Sequence, residues 1–302
     1  MEGLVICSTG RWCDVYTNGK MYKCSLKGNL RLKGLKTTNP VAVGDRVLFE
    51  VDEINATGRV NDVLERKNVL IRRATNLSRQ THILAANLDL AVIVATPILP
   101  RTSTGFIDRF LITAEAYNIP ALIVFNKLDL FKDEMSVVEY YNEIYQVAGY
   151  PTLMVSSTEG TNTEEFRNII KSKTILMAGH SGVGKSTLIK ALAPDQKIKI
   201  GNISAAHHKG KHTTTFARMY MLPDETLIID TPGIKEFGVV DFAPWELGHW
   251  FREFKEYIPQ CHYANCTHQH EPGCAVRDAA EAGKIHEERY SNYLGILNNI
   301  SA

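Results

Sequence analysis

The sequence holds no apolar run approaching the ~20 residues that a membrane-crossing helix requires. Its opening stretch, MEGLVICSTGRW, has no basic segment leading into a long apolar one, so no secretory leader is expected and the cytoplasm is the expected compartment. Neither an internal repeat nor a low-complexity tract is visible. An excess of one charge sign is lacking too, since the formal net charge is +1. Cysteine is sparse, at six residues in 302. Cys7, Cys13 and Cys24 are scattered, whereas Cys261, Cys266 and Cys274 gather beside histidines. In a chain of cytosolic character that clustering argues for a metal and against disulfides.

What remains is an ordinary soluble composition, 44% hydrophobic and 22% charged, in a chain long enough for two or three domains. The balanced charge conceals an asymmetry. Residues 1–82 carry fourteen Lys and Arg against eight Asp and Glu; the remainder carries twenty against twenty-five. A basic N-terminal third suits a polyanionic partner, and equally a solvated basic face.

Residues 1 to about 70 read as short strands, LVICSTG, WCDVYTN, KMYKCSL, DRVLFEVDE and GRVNDVLER, punctuated by Gly and Asn. That spacing predicts a small β-barrel of OB or SH3-like type. The basic segment 66–87 spans the boundary between this barrel and the next domain. From about residue 88, apolar strands (88–96, 120–126, 151–157, 174–179, 226–231) alternate with helical patterns (107–117, 135–148, 164–171). Continuous apolar strands of this kind predict an α/β domain with a mostly parallel sheet. Beyond about 240 the pattern is helical, at 243–257 and 285–299, with the Cys/His cluster between them. Within it, WFREFKEYI (250–258) reads as core packing with a solvated face.

Three motifs carry chemistry. GHSGVGKST (179–187) satisfies G-x-x-x-x-G-K-[ST] through Gly179, Gly184, Lys185 and Ser186. Glycines let the backbone aim N–H groups at phosphate oxygens, and the helix starting near Lys185 adds its positive dipole end. His180, Ser181, Gly182, Val183 and Thr187 complete the cradle; Lys185 is expected at the β- and γ-phosphates and the Ser186 hydroxyl at Mg²⁺. DTPG (230–233) ends an apolar strand, where Asp230 is expected to hold Mg²⁺ and the Gly233 N–H to sense the γ-phosphate. NKLD (126–129) selects the base. An ionised carboxylate only accepts hydrogen bonds, and guanine, unlike adenine, offers N1–H and N2–H₂ side by side. Asp129 therefore favours guanine, with Asn126 tethering the loop, the Lys127 stem along the base and Leu128 completing the turn. Ser156 and Ser157, at the end of the next strand, are expected to close over the base, making GTP or GDP with Mg²⁺ the ligand.

The motifs run base loop, phosphate loop, Mg²⁺ loop, which is the usual GTPase set circularly permuted. The segment after DTPG then leads straight into the C-terminal helices, so nucleotide state can be relayed to an appended module. VGDRV (43–47), NKLDL, GHSGVGKSTL, GKHTTTF (210–216), DTPGIKEF (230–237) and the Cys/His cluster together resemble the circularly permuted GTPases called ribosome small-subunit-dependent GTPase A, RsgA, over nearly the whole chain. The resemblance implies a multi-domain fold: an N-terminal OB-fold RNA-binding barrel over 1–70, a central α/β P-loop GTPase over 71–238 and a C-terminal helical zinc-binding domain over 239–302. It also implies a GTP hydrolase of late small-ribosomal-subunit maturation, stimulated by that subunit and its rRNA; a monomer away from membranes is expected. Two other readings stay open at this point. One is a nucleotide-gated RNA-binding module whose hydrolysis only resets binding. The other is a permuted GTPase acting away from ribosomes, against which the basic barrel argues.

Familiar GTPases orient the attacking water with a Gln just after the D-x-x-G turn. Ile234 stands there in this chain. His212, in the basic segment KGKHTTTF, is the candidate catalytic replacement, with an rRNA contact as its alternative role. One of Thr213, Thr214 and Thr215 is expected to complete the Mg²⁺ shell. Gly182 stands where potassium-activated relatives carry Asn, so potassium activation is not expected. In CHYANCTHQHEPGC, the three thiols Cys261, Cys266 and Cys274 with one imidazole suit a closed, structural zinc site. The spacing departs from the usual C-x₂-C knuckle. His262, His268 and His270 compete as donors, and the resemblance selects His268.

Overall fold

The computed structural model describes residues 1–27, 40–52, 54, 55, 57–73, 81–192, 217–230 and 243–301. These form two compact units. One draws on the described residues of Met1–Ala91, Glu164–Ala178 and Ser186–Glu236, the other on those of Val92–Thr163, Gly179–Lys185 and Phe237–Ala302.

The first unit begins with five strands, β1 (Glu2–Ser8), β2 (Trp12–Thr17), β3 (Lys20–Leu26), β4 (Arg46–Asp52) and β5 (Thr57–Val63). Their alternating residues Val5, Cys13, Val15, Tyr22, Cys24, Val47, Phe49 and Val60 make one buried core. The order is β1-β2-β3-β5-β4, and pairing of β4 with β1 closes the ring. β3 and β5 run parallel and the other neighbours antiparallel. Five strands closed in this order form an OB-type barrel rather than an SH3-like one. At Gly3, where β1 pairs with β4, the missing side chain lets the backbone press inward: a Cβ there would lie 2.4 Å from Val15 Cγ1. VGDRV is explained by two contacts. Gly44, at φ +92, faces the Ala86 carbonyl, 2.2 Å from where a Cβ would stand. Asp45, fully buried, takes two 2.6 Å bonds from the Arg66 guanidinium.

The basic boundary segment contains a separate antiparallel hairpin of β6 (Val69–Arg73) and β7 (Thr81–Ala86). Further along the same unit, β11 (Thr174–Ala178) lies parallel to β13 (Leu227–Asp230), and β12 (Arg218–Met221) is antiparallel to β13.

The second unit carries β8 (Leu90–Ala95), β9 (Ala121–Phe125) and β10 (Thr152–Met154), in the order β10-β9-β8. Every residue of β8 and β9 is buried, as an apolar strand covered on both faces requires. Helices α1 (Thr104–Ala116) and α2 (Met135–Val147) sit where the periodicity placed them; α3 (Thr163–Ile170) and α4 (Lys185–Leu192), which flank β11 in the chain, belong past their first residues to the first unit. The C-terminal stretch carries α5 (Ala275–Glu281) and α6 (Glu287–Ser301). The helix expected over 243–257 is instead a series of 3₁₀ turns, Leu247–Trp250, Arg252–Phe254 and Ile258–Gln260. Phe251 breaks the helix with φ −90 and ψ 110, and the turns bring both Phe251 and Phe254 inward. Lys255 and Glu256 stay exposed, so the expected core-and-solvent division of 250–258 holds without an α-helix. Ile112 of α1 shares a core with Leu247, Phe251, Phe254, Tyr293 and Leu297. Among the described residues no helix is long and apolar enough to cross a membrane.

Candidate nucleotide site and metal centre

Asn126 leaves the end of β9 and is almost wholly buried. Its backbone N–H donates to the Ala95 carbonyl at 2.9 Å, and its Nδ2 donates to the Val183 carbonyl at 2.9 Å. Its Oδ1 accepts from the Ser157 hydroxyl at 2.6 Å and the Ser157 N–H at 3.2 Å. One amide therefore stitches base loop, phosphate loop and serine loop together. Lys127 takes a left-handed backbone, φ 70 and ψ 34, and its Nζ donates to the Leu99 carbonyl. Leu128 and Asp129 lie on the short turn after it, where Asp129 Oδ1 accepts from the Ser156 hydroxyl at 2.6 Å. That bond fixes the direction of the carboxylate.

The glycines of the phosphate loop answer to close approaches. At Gly179, φ +143, a Cβ would stand 2.2 Å from the Val94 carbonyl oxygen; at Gly184, φ +95, it would stand 2.4 Å from Asn126 Nδ2. Lys185 Nζ donates to the carbonyls of Gly179, at 2.5 Å, and His180, at 3.0 Å. Val183 is buried, while Ser181 and Gly182 are exposed. Ser186 and Thr187 occupy the first turn of α4. In the first unit, Asp230 ends β13 in register with Met177 of β11, the strand that runs into the phosphate loop. His212, Thr213, Thr214, Thr215, Gly233 and Ile234 lie outside the described residues.

Cys261, Cys266, His268 and Cys274 converge, their ligand atoms all within 4.8 Å of one another. His268 Nδ1 lies 3.6 Å from Cys261 Sγ and 3.5 Å from Cys274 Sγ. A tetrahedral ion with Zn–S near 2.3 Å and Zn–N near 2.0 Å places sulfur and nitrogen about 3.5 Å apart, so the donors fit zinc in kind and spacing. Burial pushes the Cys266 thiol up to about 12 and lowers His268 to about 4, leaving a neutral imidazole able to ligate. The backbone of Gly248 packs on the His268 ring, which a Cβ would meet at 2.8 Å.

Two features escaped the sequence. Glu271 accepts from the Thr267 N–H and hydroxyl and from the N–H groups of Gln269 and His270. An acid between two ligand positions in a polar loop was the available signal. Phe106 stacks on His180, a pairing across 74 positions with no local pattern to announce it.

Together these features define a P-loop GTPase whose base loop precedes its phosphate loop. The RsgA GTPase family model matches residues 63–240, and the RsgA N-terminal domain model residues 2–58. The small ribosomal subunit biogenesis GTPase RsgA 2 of Bacteroides thetaiotaomicron is 50% identical over 301 residues, covering 99% of this chain and 97% of its own. The corresponding protein of Flavobacterium psychrophilum is 48% identical, covering 98% and 92%. The crystal structure of YjeQ from Thermotoga maritima matches with a TM-score of 0.78 at 34% identity, over 100% of this chain and 98% of its own. That of YloQ, a circularly permuted GTPase, matches at 0.72 and 27%, over 99% and 94%. The chain belongs to the RsgA GTPase family and is a GTPase.

Proposed function

We propose that this GTPase acts in late maturation of the small ribosomal subunit, binding rRNA and coupling GTP hydrolysis to docking and release. The supporting observation is a base loop and a phosphate loop joined by the buried Asn126, in a chain alike over 99% of its length to a relative named for small-subunit biogenesis. Asp129 reads guanine N1–H and N2–H₂, held by Ser156; Lys127 flanks the base, and Ser157 fixes Asn126. Residues 179–187 hold the phosphates, Ser186 and Asp230 hold Mg²⁺, and the Gly233 N–H senses the γ-phosphate. His212 orients the attacking water. Cys261, Cys266, His268 and Cys274 hold one zinc ion, which supplies a structural cross-link to a module too small for a large core of its own. The domains divide at 1–70, 71–238 and 239–302, and the protein works as a cytoplasmic monomer.

The test is co-sedimentation with separated ribosomal subunits in GDP, GTP and a non-hydrolysable analogue, beside GTP turnover with and without small subunits. Nucleotide-dependent binding to small subunits and faster turnover in their presence are expected. Equal rates with and without them overturn the proposal.

A further inference from the structure

Helix α1 touches two parts of the second unit that the chain keeps far apart. Ser103 caps its first turn by accepting from the Phe106 N–H. The Phe106 ring lies on the His180 ring, centroids 3.9 Å and planes 29° apart. His180 is the second residue of the phosphate loop, and its carbonyl accepts from Lys185 Nζ at 3.0 Å. Residues two apart on a helix face nearly opposite sides, and residues four apart share a side. Thr104 and Asp108 therefore share the side away from Phe106, and α6 engages both. Thr104 donates to Glu288, while Asp108 accepts from Arg289 and from Asn292 Nδ2 at 2.7 Å. α6 also holds the metal loop: the Tyr290 and Tyr293 hydroxyls donate to the carbonyls of His268, at 2.8 Å, and Thr267, at 2.7 Å.

We propose that the Phe106–His180 stack is the joint through which the C-terminal module sets the phosphate loop. Phe106 is then a positioning residue that acts on Lys185 through His180. This role rests on reading residues 179–187 as the phosphate cradle, and it adds a route separate from the segment after DTPG. A close-packed helix does not absorb a displacement on one face without passing it to the other. Where α6 seats Asp108, the Phe106 ring follows, and with it the carbonyl that holds the Lys185 ammonium.

A double-mutant cycle on the full chain tests this. Phe106→Leu removes the ring while keeping an apolar side chain; Asn292→Ala removes one hydrogen bond on the far side of α1. Affinities for GDP and GMP are measured by fluorescence titration, with metal content and thermal unfolding monitored alongside. Each variant is expected to weaken GDP binding roughly two- to tenfold, the range that one stacked aromatic pair supplies. GMP binding is expected to stay within about twofold, because GMP lacks the β-phosphate that Lys185 meets. The double variant is expected to bind GDP about as well as the weaker single one. An Asn292→Ala protein with unchanged GDP affinity, losses that multiply in the double variant, or equal losses for GDP and GMP overturn the inference. If Phe106→Leu does not fold, His180→Ala takes its place in the cycle with the same outcomes. A wild type that binds neither GDP nor ADP overturns the cradle and this inference together; one that binds GDP, with multiplying losses, overturns this inference alone.

Discussion

Replacing Glu271 by Gln probes how the metal loop is held. Glu271 Oε1 accepts from the Thr267 N–H at 2.8 Å and its hydroxyl at 2.6 Å, and Oε2 accepts from the N–H groups of Gln269 at 3.1 Å and His270 at 3.2 Å. Burial opposes the charge, yet these bonds, led by the Thr267 hydroxyl, hold the carboxyl down at about 2. The drop from 4.5 corresponds to about 3 kcal/mol. The side chain is partly open to water, which discounts the effective contribution to about 1–2 kcal/mol. Glutamine keeps one acceptor oxygen and points an NH₂ group at N–H donors, so this contribution is lost while the shape is kept. Because His268 lies inside the braced loop, zinc affinity is expected to fall about 5- to 30-fold in Glu271→Gln. Competition with a chromogenic chelator measures it. The sign with pH follows from a folded-state pKa below the unfolded one. The contribution is complete above about 4.5 and disappears as pH falls toward about 2. In the metal-free chain, wild-type and variant stabilities therefore converge at the acid end, separate as pH rises from about 2 to 4.5, and stay a constant distance apart above it. Equal zinc affinity in the two proteins, or a stability gap independent of pH, refutes the reasoning.

Three further substitutions bear on the remaining sites. On the proposed function Asp129→Asn replaces the acceptor for two guanine donors; at about 1.5–3 kcal/mol per charge-assisted bond, GDP affinity is expected to fall at least 100-fold. Xanthosine diphosphate, whose C2 carbonyl accepts from the new amide, is expected to bind better than GDP, which nucleotide competition checks. Gly184→Ala puts a Cβ 2.4 Å from Asn126 Nδ2 at a φ of +95; about 1–3 kcal/mol of strain or a broken tether is expected, read as about 5- to 150-fold weaker nucleotide binding. Arg289→Met leaves Asp108 and Glu253, its carboxylate partners, without their cation; about 3–5 kcal/mol of destabilisation is expected in thermal or denaturant unfolding. Much of it should return when both acids are also made apolar, and an Arg289→Met protein as stable as wild type counts against a buried charge network.

Function was more readable than packing because function is written in short spans. GHSGVGKST compresses a strand end, a turn with two obligatory glycines and a helix start into nine residues, and the close approaches at Gly179 and Gly184 show why no other residue serves. Apolar strands such as 90–95 announce themselves in the same local way. The OB order of the barrel did not: five short strands suit two barrel types, and only the pairing of β3 with β5 and of β4 with β1 separates them. The 3₁₀ turns between 247 and 260 escaped for a different reason. Their sequence has helical spacing, and residues three apart such as Phe251 and Phe254 would share a helix face as readily as they share this core; the extended backbone of Phe251, φ −90 and ψ 110, is what divides the turns, and no residue type there announces it.

The C-terminal module was legible as a metal site and illegible as a neighbour. Its ligands lie within fourteen residues of one another, so their chemistry is local. Its attachment is made by Arg252 and Lys255 on Glu115 and by Arg289 on Asp108, pairs separated by 137, 140 and 181 positions. Charged residues at helical spacing read as a solvated face, and nothing local distinguishes Arg289, which is fully buried, from an exposed arginine. A buried ion network contributes little net stability against an apolar replacement, yet separating one member from the others leaves buried charges unpaired, which penalises displacement of α6 from Asp108 and Glu253. That property suits a module whose ligand geometry and whose hold on α1 must both be kept. The same 22% of charged residues that looks uninformative in the composition therefore includes the few side chains that fix where the metal centre stands relative to Asp108 of α1.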